Sequence, residues 1–199
     1  MEQEPLEELR RGLAASPPPR TDRERCRAAV LLPLLLAPGA RRELFPRGTS
    51  VLFTLRTMDL PTHKGQVSFP GGALEKGEEP AAAALRETEE ELGIPPAEVD
   101  LLGWLGSFST LTSGWEIDAF PGLLPHRKLA PNPREVARVF QIPLAGLRAH
   151  LRQIRPLSGP GIWPTFPHRE GNRHYTIWGA TARILAAFLD RADFPLEGA

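Results

Sequence analysis

The stretch FPGGALEKGEEPAAAALRETEEELGI, Phe69 to Ile94, constrains this chain more tightly than any other. Pro80 and Gly93 sit where helix boundaries are expected: proline needs no N–H donor in a first turn, and glycine tolerates the left-handed conformation that closes a last one. A helix between them carries Glu89, Glu90 and Glu91 in its last turn, where the negative end of the dipole favours cations instead. At helical spacing Ala81, Leu85, Thr88 and Leu92 fall on one side, expected to face a core. Glu87, Glu90 and Glu91 project together from roughly the opposite side, and Glu89 points to water. Glu87 and Glu91 lie four apart and stack one turn over the other, a like-charged arrangement that costs about 0.2–0.5 kcal/mol before the dipole is counted. Such a face is either a solvated acidic surface or a place for a hard divalent cation, which takes oxygen ligands and offsets both penalties. The glycine turn at Phe69 to Gly72 favours the cation, because it lets main-chain carbonyls approach the same place. Glu78 and Arg86 flank the helix in a fixed frame.

Around this stretch the chain reads as ordinary globular protein. Its 199 residues, 41% apolar and 24% charged, fit one domain with a sizeable core. A formal net charge of zero gives no nucleic-acid footprint and no membrane-surface role. Cys26 is the single cysteine, which excludes an intramolecular disulfide and suits a reducing, cytoplasmic setting with an inert thiol. The most apolar run, Ala28 to Pro38, is too short to span a bilayer and contains Pro33.

Leu6, Leu9 and Leu13 recur at helical spacing within Glu4 to Ala15, and SPPPR at Ser16 to Arg20 ends that helix. Ala28 to Ala37 reads as a strand in which Pro33 is tolerated only at an edge or bulge. Further strands are expected at Thr49 to Thr57, Val99 to Leu105, Gly106 to Thr110 and Trp115 to Leu124. His126 to Val136 is a proline-broken loop, Ala137 to Leu151 a strand and a short helical turn, and Arg155 to Arg173 a loop. His174 to Ala192 supplies a last strand and a closing helix with Ile184, Leu185 and Phe188 as its apolar positions. Short antiparallel strands with helices before, between and after suggest a single α+β sandwich.

The spacing from Gly72 to Ile94 resembles the Nudix box: Gly, five residues, Glu, seven residues, Arg-Glu, an apolar residue, one residue, Glu-Glu, one residue, Gly and an apolar residue. Gly72, Glu78, Arg86, Glu87, Glu90, Glu91, Gly93 and Ile94 match it, and Thr88 stands where an aliphatic residue is usual. The resemblance implies the Nudix fold, a mixed sheet between helices in an α/β/α sandwich. It also implies metal-dependent hydrolysis of a nucleoside diphosphate linked to another moiety. Carried onto this sequence, Glu87 and Glu91 are the main ligands of Mg²⁺ or Mn²⁺, Glu90 assists as a ligand and catalytic group, and the Gly71 carbonyl adds a further ligand. Glu78 and Arg86 brace the loop against the helix. Residues 1–27 are then an N-terminal helix and connector of the same domain, and residues 28–199 the Nudix hydrolase domain.

A second likeness concerns the substrate. The run His63-x-Gly65-Gln66-Val67-x-Phe69-Pro70-Gly71-Gly72 is similar to the segment before the box in coenzyme A pyrophosphatases of that superfamily. LTSGW from Leu111, NPREVARVFQIPL from Asn132 and YTIWGATARIL from Tyr175 resemble other segments of the same group. This implies hydrolysis of CoA, or a CoA derivative, to 3′,5′-ADP and 4′-phosphopantetheine by a monomer or homodimer acting on a small molecule. Arg56, His63, Lys64 and Gln66 are the candidate substrate contacts; Pro61 stands where that group carries arginine, with Arg56 or Lys64 as substitutes. Glu135, before a strand in the NPREV run, is the candidate general base, with Glu116, Asp118 and Glu170 as other carboxylates to weigh. ADP-ribose or dinucleoside polyphosphate hydrolysis is the alternative activity. A non-catalytic ligand-binding module is disfavoured, because it has no need of the intact set Glu78, Arg86, Glu87, Glu90 and Glu91. His63 and Lys64 also read as a structural hydrogen-bond partner and an exposed lysine. The four tryptophans read as packing, and Gly159 to Gly161 is not a phosphate-binding glycine loop.

Overall fold

The computed structural model describes residues 5–18, 27–37, 45, 48–110, 114–154 and 163–192. Strand β1, Arg27–Leu36, organises the fold. It runs parallel to β7, Glu116–Leu124, from Arg27 opposite Glu116 to Leu35 opposite Leu124. On its other side it pairs antiparallel with β4, Gly71–Ala73, and then with β2, Thr49–Arg56. The central pair is therefore parallel where antiparallel strands were expected, and the sheet is mixed. A parallel pair needs a long crossover, and here the crossover carries the helix of the acidic stretch.

Pro33 lies in this central strand, not at an edge. Leu31 N–H donates to Pro70 O at 3.0 Å and Ala37 N–H to Gly48 O at 2.7 Å, so the odd-numbered amides of β1 face β4 and β2. Pairing with β4 ends at Val30 and pairing with β2 begins at Leu34. The missing N–H of Pro33 falls in that gap, and no ladder bond is lost.

β2 also pairs with β3, Val67–Ser68, and with β8, Val136–Pro143. β5, Asp100–Leu101, and β6, Gly106–Ser109, pair with β7. The strand expected over Val99 to Leu105 is cut to those two residues by Gly103. That residue sits at φ +139°, where an added Cβ would lie 2.8 Å from Leu13 Cβ and 2.9 Å from Ala14 O. There the chain turns against the N-terminal segment instead of continuing along β7, and Trp104 N–H donates to Ala14 O at 2.6 Å.

Helix α2, Pro80–Leu92, covers one face of the sheet. Ala83 and Ala84 pack on Ala29 and Phe120, while Leu92 and Ile94 pack on Leu31, Leu52 and Leu124. The opposite face, with Leu32, Leu34, Val51 and Phe53, is covered by α1, Pro5–Gly12, and α4, Gly179–Arg191, together with a hairpin of β10, Trp163–Glu170, and β11, Arg173–Ile177. Leu6 and Leu9 of α1 and Ile184, Leu185 and Phe188 of α4 are buried there. The architecture is α+β, a mixed sheet between helices.

β10 replaces part of the loop expected over Arg155 to Arg173. It pairs with β9, Arg152–Ile154, through Trp163 to Thr165 and with β11 through Phe166 to Glu170. Each stretch of β10 thus has one partner strand, and Pro164 and Pro167 are accommodated as on an edge. Helix α3, Leu144–His150, follows β8 and buries Leu144 and Leu147. Cys26, Leu111 and the Gly159 to Gly161 stretch lie outside the described residues.

Candidate active site

The inward face of α2 differs from the one helical spacing suggested. Ala81 and Leu85 are half-buried, and the buried set is Pro80, Ala83, Ala84, Thr88, Glu91 and Leu92. The three glutamates consequently occupy three environments. The Glu91 side chain is 2% exposed, Glu87 15% and Glu90 50%, while Glu89 is exposed. Thr88 is fully buried, and its hydroxyl donates to Ala84 O at 2.7 Å, so the hydroxyl brings its own acceptor into the core.

The acidic C-terminus of α2 is closed by main-chain donors. Gly93, at φ +69°, donates to Glu89 O at 2.8 Å. Ala130 and Asn132 N–H donate to Leu92 O and Glu91 O, each at 2.9 Å. These bonds satisfy carbonyls that a helix end leaves free, and they fasten the 130–135 loop beside Glu91. Asn132 then turns its side chain to the base candidate: its Nδ2 donates to Glu135 Oε1 at 3.1 Å, while its Oδ1 accepts from Arg134 N–H at 3.1 Å. Main-chain N–H of Thr57 donates to Glu135 O at 2.9 Å, tying this loop to the end of β2.

Arg86 is the hub on the outer side. Its Nε and Nη2 donate to Glu78 Oε1 and Oε2 at 2.9 and 3.1 Å, a two-point bond that holds Glu78 below its ordinary carboxylate range. Nη1 donates to Glu87 Oε1 at 2.8 Å and Glu90 Oε1 at 3.2 Å, and Nη2 also reaches Ala73 O at 3.1 Å. The glycine turn before the helix and two of its acids are thereby joined through one guanidinium.

Glu91 is the most perturbed acid. Burial pushes its pKa up from 4.5 to about 8; the Arg56 charge opposes the rise, and Glu135 and Glu87 add to it. Arg56 Nη1 stands 3.8 Å from Glu91 Oε1, an ion pair without hydrogen-bond geometry. Oε2 of Glu91 is buried with no hydrogen-bond partner. Burial likewise raises Glu87, against the pull of Arg86, with Glu90 and Glu135 contributing. The mutual influence of Glu87, Glu91 and Glu135 puts three carboxylates from two distant segments into one electrostatic neighbourhood.

Gly72 makes that neighbourhood possible. A Cβ at this position would lie 2.4 Å from the Glu87 carboxyl carbon and 2.5 and 2.6 Å from its oxygens. Gly71, at φ +152°, presses equally close to β1, with a Cβ position 2.3 Å from Ala29 O. Only a side chain of hydrogen lets this turn run between strand and carboxylates.

The remaining candidates lie on the loop before the turn. Gln66 O accepts from Arg56 N–H at 3.0 Å, and His63 Nδ1 lies 3.1 Å from Gln66 Oε1, with His63 at φ +56°. His63 and Lys64 are exposed. Asp118 is fully buried and engaged by Arg27 at 2.7 Å, by Trp104 Nε1 at 3.1 Å and by the Ser107 hydroxyl, while Glu170 pairs with Arg138 on the hairpin. Trp178 is half exposed, not packed as expected. Sequence reasoning assigned Asn132 nothing; the Asn-x-x-Glu spacing with Asn132 bonded to Arg134 N–H, a common local asparagine turn, was the available signal.

Among the described residues, no three His, Cys, Asp or Glu side chains converge into a ligand cluster as they stand. Arg86 draws Glu87 and Glu90 to itself. The donor set nonetheless fits a hard divalent cation: all oxygen, one of them buried and unpartnered, with raised carboxylate pKa values that an ion would lower.

Comparison with known proteins bears on the family and the fold. Residues 38–157 match the family described as NUDIX domain. The chain is 35% identical over 169 residues to "Uncharacterized Nudix hydrolase NudL" of Escherichia coli strain K12, covering 79% of this chain and 78% of that protein. A protein of the same description from Photorhabdus laumondii is 34% identical over 180 residues, with 85% and 86% covered. Among solved structures, a MutT/nudix family protein from Enterococcus faecalis superposes with a TM-score of 0.57 at 15% identity. That superposition covers 89% of this chain and 65% of the other, and it speaks for the fold. No helix among the described residues is long and apolar enough to cross a membrane.

Proposed function

The chain belongs to the Nudix hydrolase family, and from that premise we propose that it hydrolyses the diphosphate of coenzyme A, or of a CoA derivative, to 3′,5′-ADP and 4′-phosphopantetheine. The observation that carries the proposal is the continuity of the CoA-like run with the carboxylate centre. His63 to Gly72 leads through β3 and β4 directly to Glu87 and Glu91, and Gln66 O is bonded to the main chain of Arg56.

In this reading Glu87 and Glu91 hold Mg²⁺ or Mn²⁺, with Glu90 and the Gly71 carbonyl as further ligands. The ion supplies charge neutralisation at the diphosphate and acidifies water. The chain's own residues do the rest. Arg56, which stands beside Glu91, would meet the phosphate oxygens of the substrate. Glu135 accepts the proton of the attacking water through the oxygen that Asn132 leaves free. Water adds across the P–O–P bridge, one phosphoryl group taking the hydroxyl and the other leaving as a monoester. Arg86 and Glu78 keep the glycine turn seated against α2, and they hold Glu87 and Glu90 in place between turnovers.

The test is product chromatography of full-length protein with CoA, acetyl-CoA, ADP-ribose and diadenosine polyphosphates, each with Mg²⁺, Mn²⁺ or chelator. Ion-dependent formation of 3′,5′-ADP and 4′-phosphopantetheine is expected. Faster turnover of ADP-ribose or a dinucleoside polyphosphate under matched conditions would move the substrate to that class and leave the hydrolase standing. Absence of turnover on every substrate would return the chain to a ligand-binding role.

A further inference from the structure

The sheet face away from the carboxylates carries a second group of titratable side chains. A cleft of about 380 Å³ opens beside the β10–β11 hairpin, lined by His150 of α3, His168 and Arg169 of β10, and His174 and Tyr175 of β11. Its size falls within the range of small-molecule sites, roughly 300–1,000 Å³. Tyr175 is 9% exposed, and its hydroxyl is buried without a hydrogen-bond partner. A buried hydroxyl left unpaired destabilises a fold, so it marks a position that a ligand oxygen can satisfy.

Packing fixes the walls of the cleft. The His168 ring lies parallel to Phe140, with centroids 5.8 Å apart and 5° between planes, and Tyr175 stacks on Phe140 at 4.5 Å and 12°. His150 stands 6.4 Å from His168. Burial, then the charge of His150, holds His168 below its ordinary pKa, with Glu170 opposing. An anion placed beside His168 and His150 would offset the burial and the His150 charge that disfavour protonated His168. Among the described residues the histidines do not converge as metal ligands would, and no acid lines the cleft.

We propose that this cleft binds a phosphate group, either inorganic phosphate or a small phosphate monoester, through His150, His168 and the Tyr175 hydroxyl, with Arg169 at its rim. The inference does not depend on the identity of the hydrolysed substrate. The ionisable groups around the site are His150 and Arg148 from α3, His168, Arg169 and Glu170 from β10, Arg173, His174 and Tyr175 from β11, and Arg138 from β8. Glu170 is the acid among them and is paired with Arg138, while Arg148 is engaged with Leu189 O. Proton uptake by His168, which is held below the ordinary histidine value, makes the site more cationic, so binding tightens as pH falls below that ordinary range.

The experiment is a side-chain imidazole NMR titration of the full chain in chelator, so that no ion bridges phosphate to the carboxylates. One arm uses inorganic phosphate and the other adenosine monophosphate, each below and above the histidine range. Saturable shifts at His150 and His168 with a raised His168 pKa are expected, and the tighter arm identifies the source. Tyr175→Phe removes only the hydroxyl and should weaken binding about tenfold to a hundredfold, the scale of one hydrogen bond to a charged group. His168→Gln should weaken it at least as much. Absence of a saturable shift in wild type with either probe overturns the proposal without recourse to variants. So does binding that folded Tyr175→Phe and His168→Gln proteins retain in full.

Discussion

Glu91→Gln should make the ion-free protein more stable while abolishing its activity. The Glu91 carboxylate is 2% exposed and its pKa rises from 4.5 to about 8, chiefly through burial. At about 1.4 kcal/mol per pKa unit, keeping it charged above pH 8 costs the fold on the order of 4–5 kcal/mol. Glutamine has nearly the same volume and no charge. The pairing with Arg56 at 3.8 Å is already contained in that net pKa rise, so the remaining cost is an amide to be satisfied, roughly 1 kcal/mol. A net gain of about 3–4 kcal/mol above pH 8 is expected. The sign follows from proton linkage. Between pH 4.5 and about 8 the folded carboxyl keeps a proton that the unfolded one has lost, so wild-type stability falls as pH rises through that window. The variant lacks this dependence, and the gap should open across the same window. Urea unfolding of both proteins in chelator, from pH 4 to pH 9, measures it. With Mg²⁺ at one hundred times its dissociation constant the wild type should regain about 2.7 kcal/mol, and the variant much less. A gap that does not change with pH, or a variant clearly less stable above pH 8, would refute the buried-charge argument and make Glu91 a structural partner.

Three further outcomes are expected. Glu87→Gln should lose at least about 100-fold in turnover, the scale of removing a key electrostatic group, whereas Glu89→Gln, exposed on the same helix, should stay near wild type; equal losses would dissolve the distinction. Gly72→Ala should cost activity far more than melting temperature, because its Cβ would displace the Glu87 carboxylate from 2.4 Å while the strand pairing of β4 remains; steady-state kinetics beside a thermal melt decides it. Glu135→Gln should lower kcat well beyond any rise in KM, as expected of a proton acceptor, and near-normal kcat would take the base elsewhere.

The sequence by itself determined what is local about this protein. Pro80 and Gly93 bounded α2, and spacings inside the box brought Arg86 onto Glu78 and Glu90, because helical periodicity and short loops are written into neighbouring residues. The tertiary structure alone decided the environment of each acid. Glu91 is buried because the 130–135 loop closes over the end of α2, and Arg56 meets it from β2. Neither contact has a period that a single stretch could reveal. Pro33 misled for the same reason. A proline argues against a central strand until the gap between β4 and β2 is known, and that gap exists only once the parallel pairing of β1 with β7 is made. The prolines of β10 hid a strand similarly, since whether a missing N–H matters depends on which partner lies beside it. Propensity and pattern act within a few residues, whereas burial, and with it the charge state of a carboxylate, is set by whatever distant segment excludes the water.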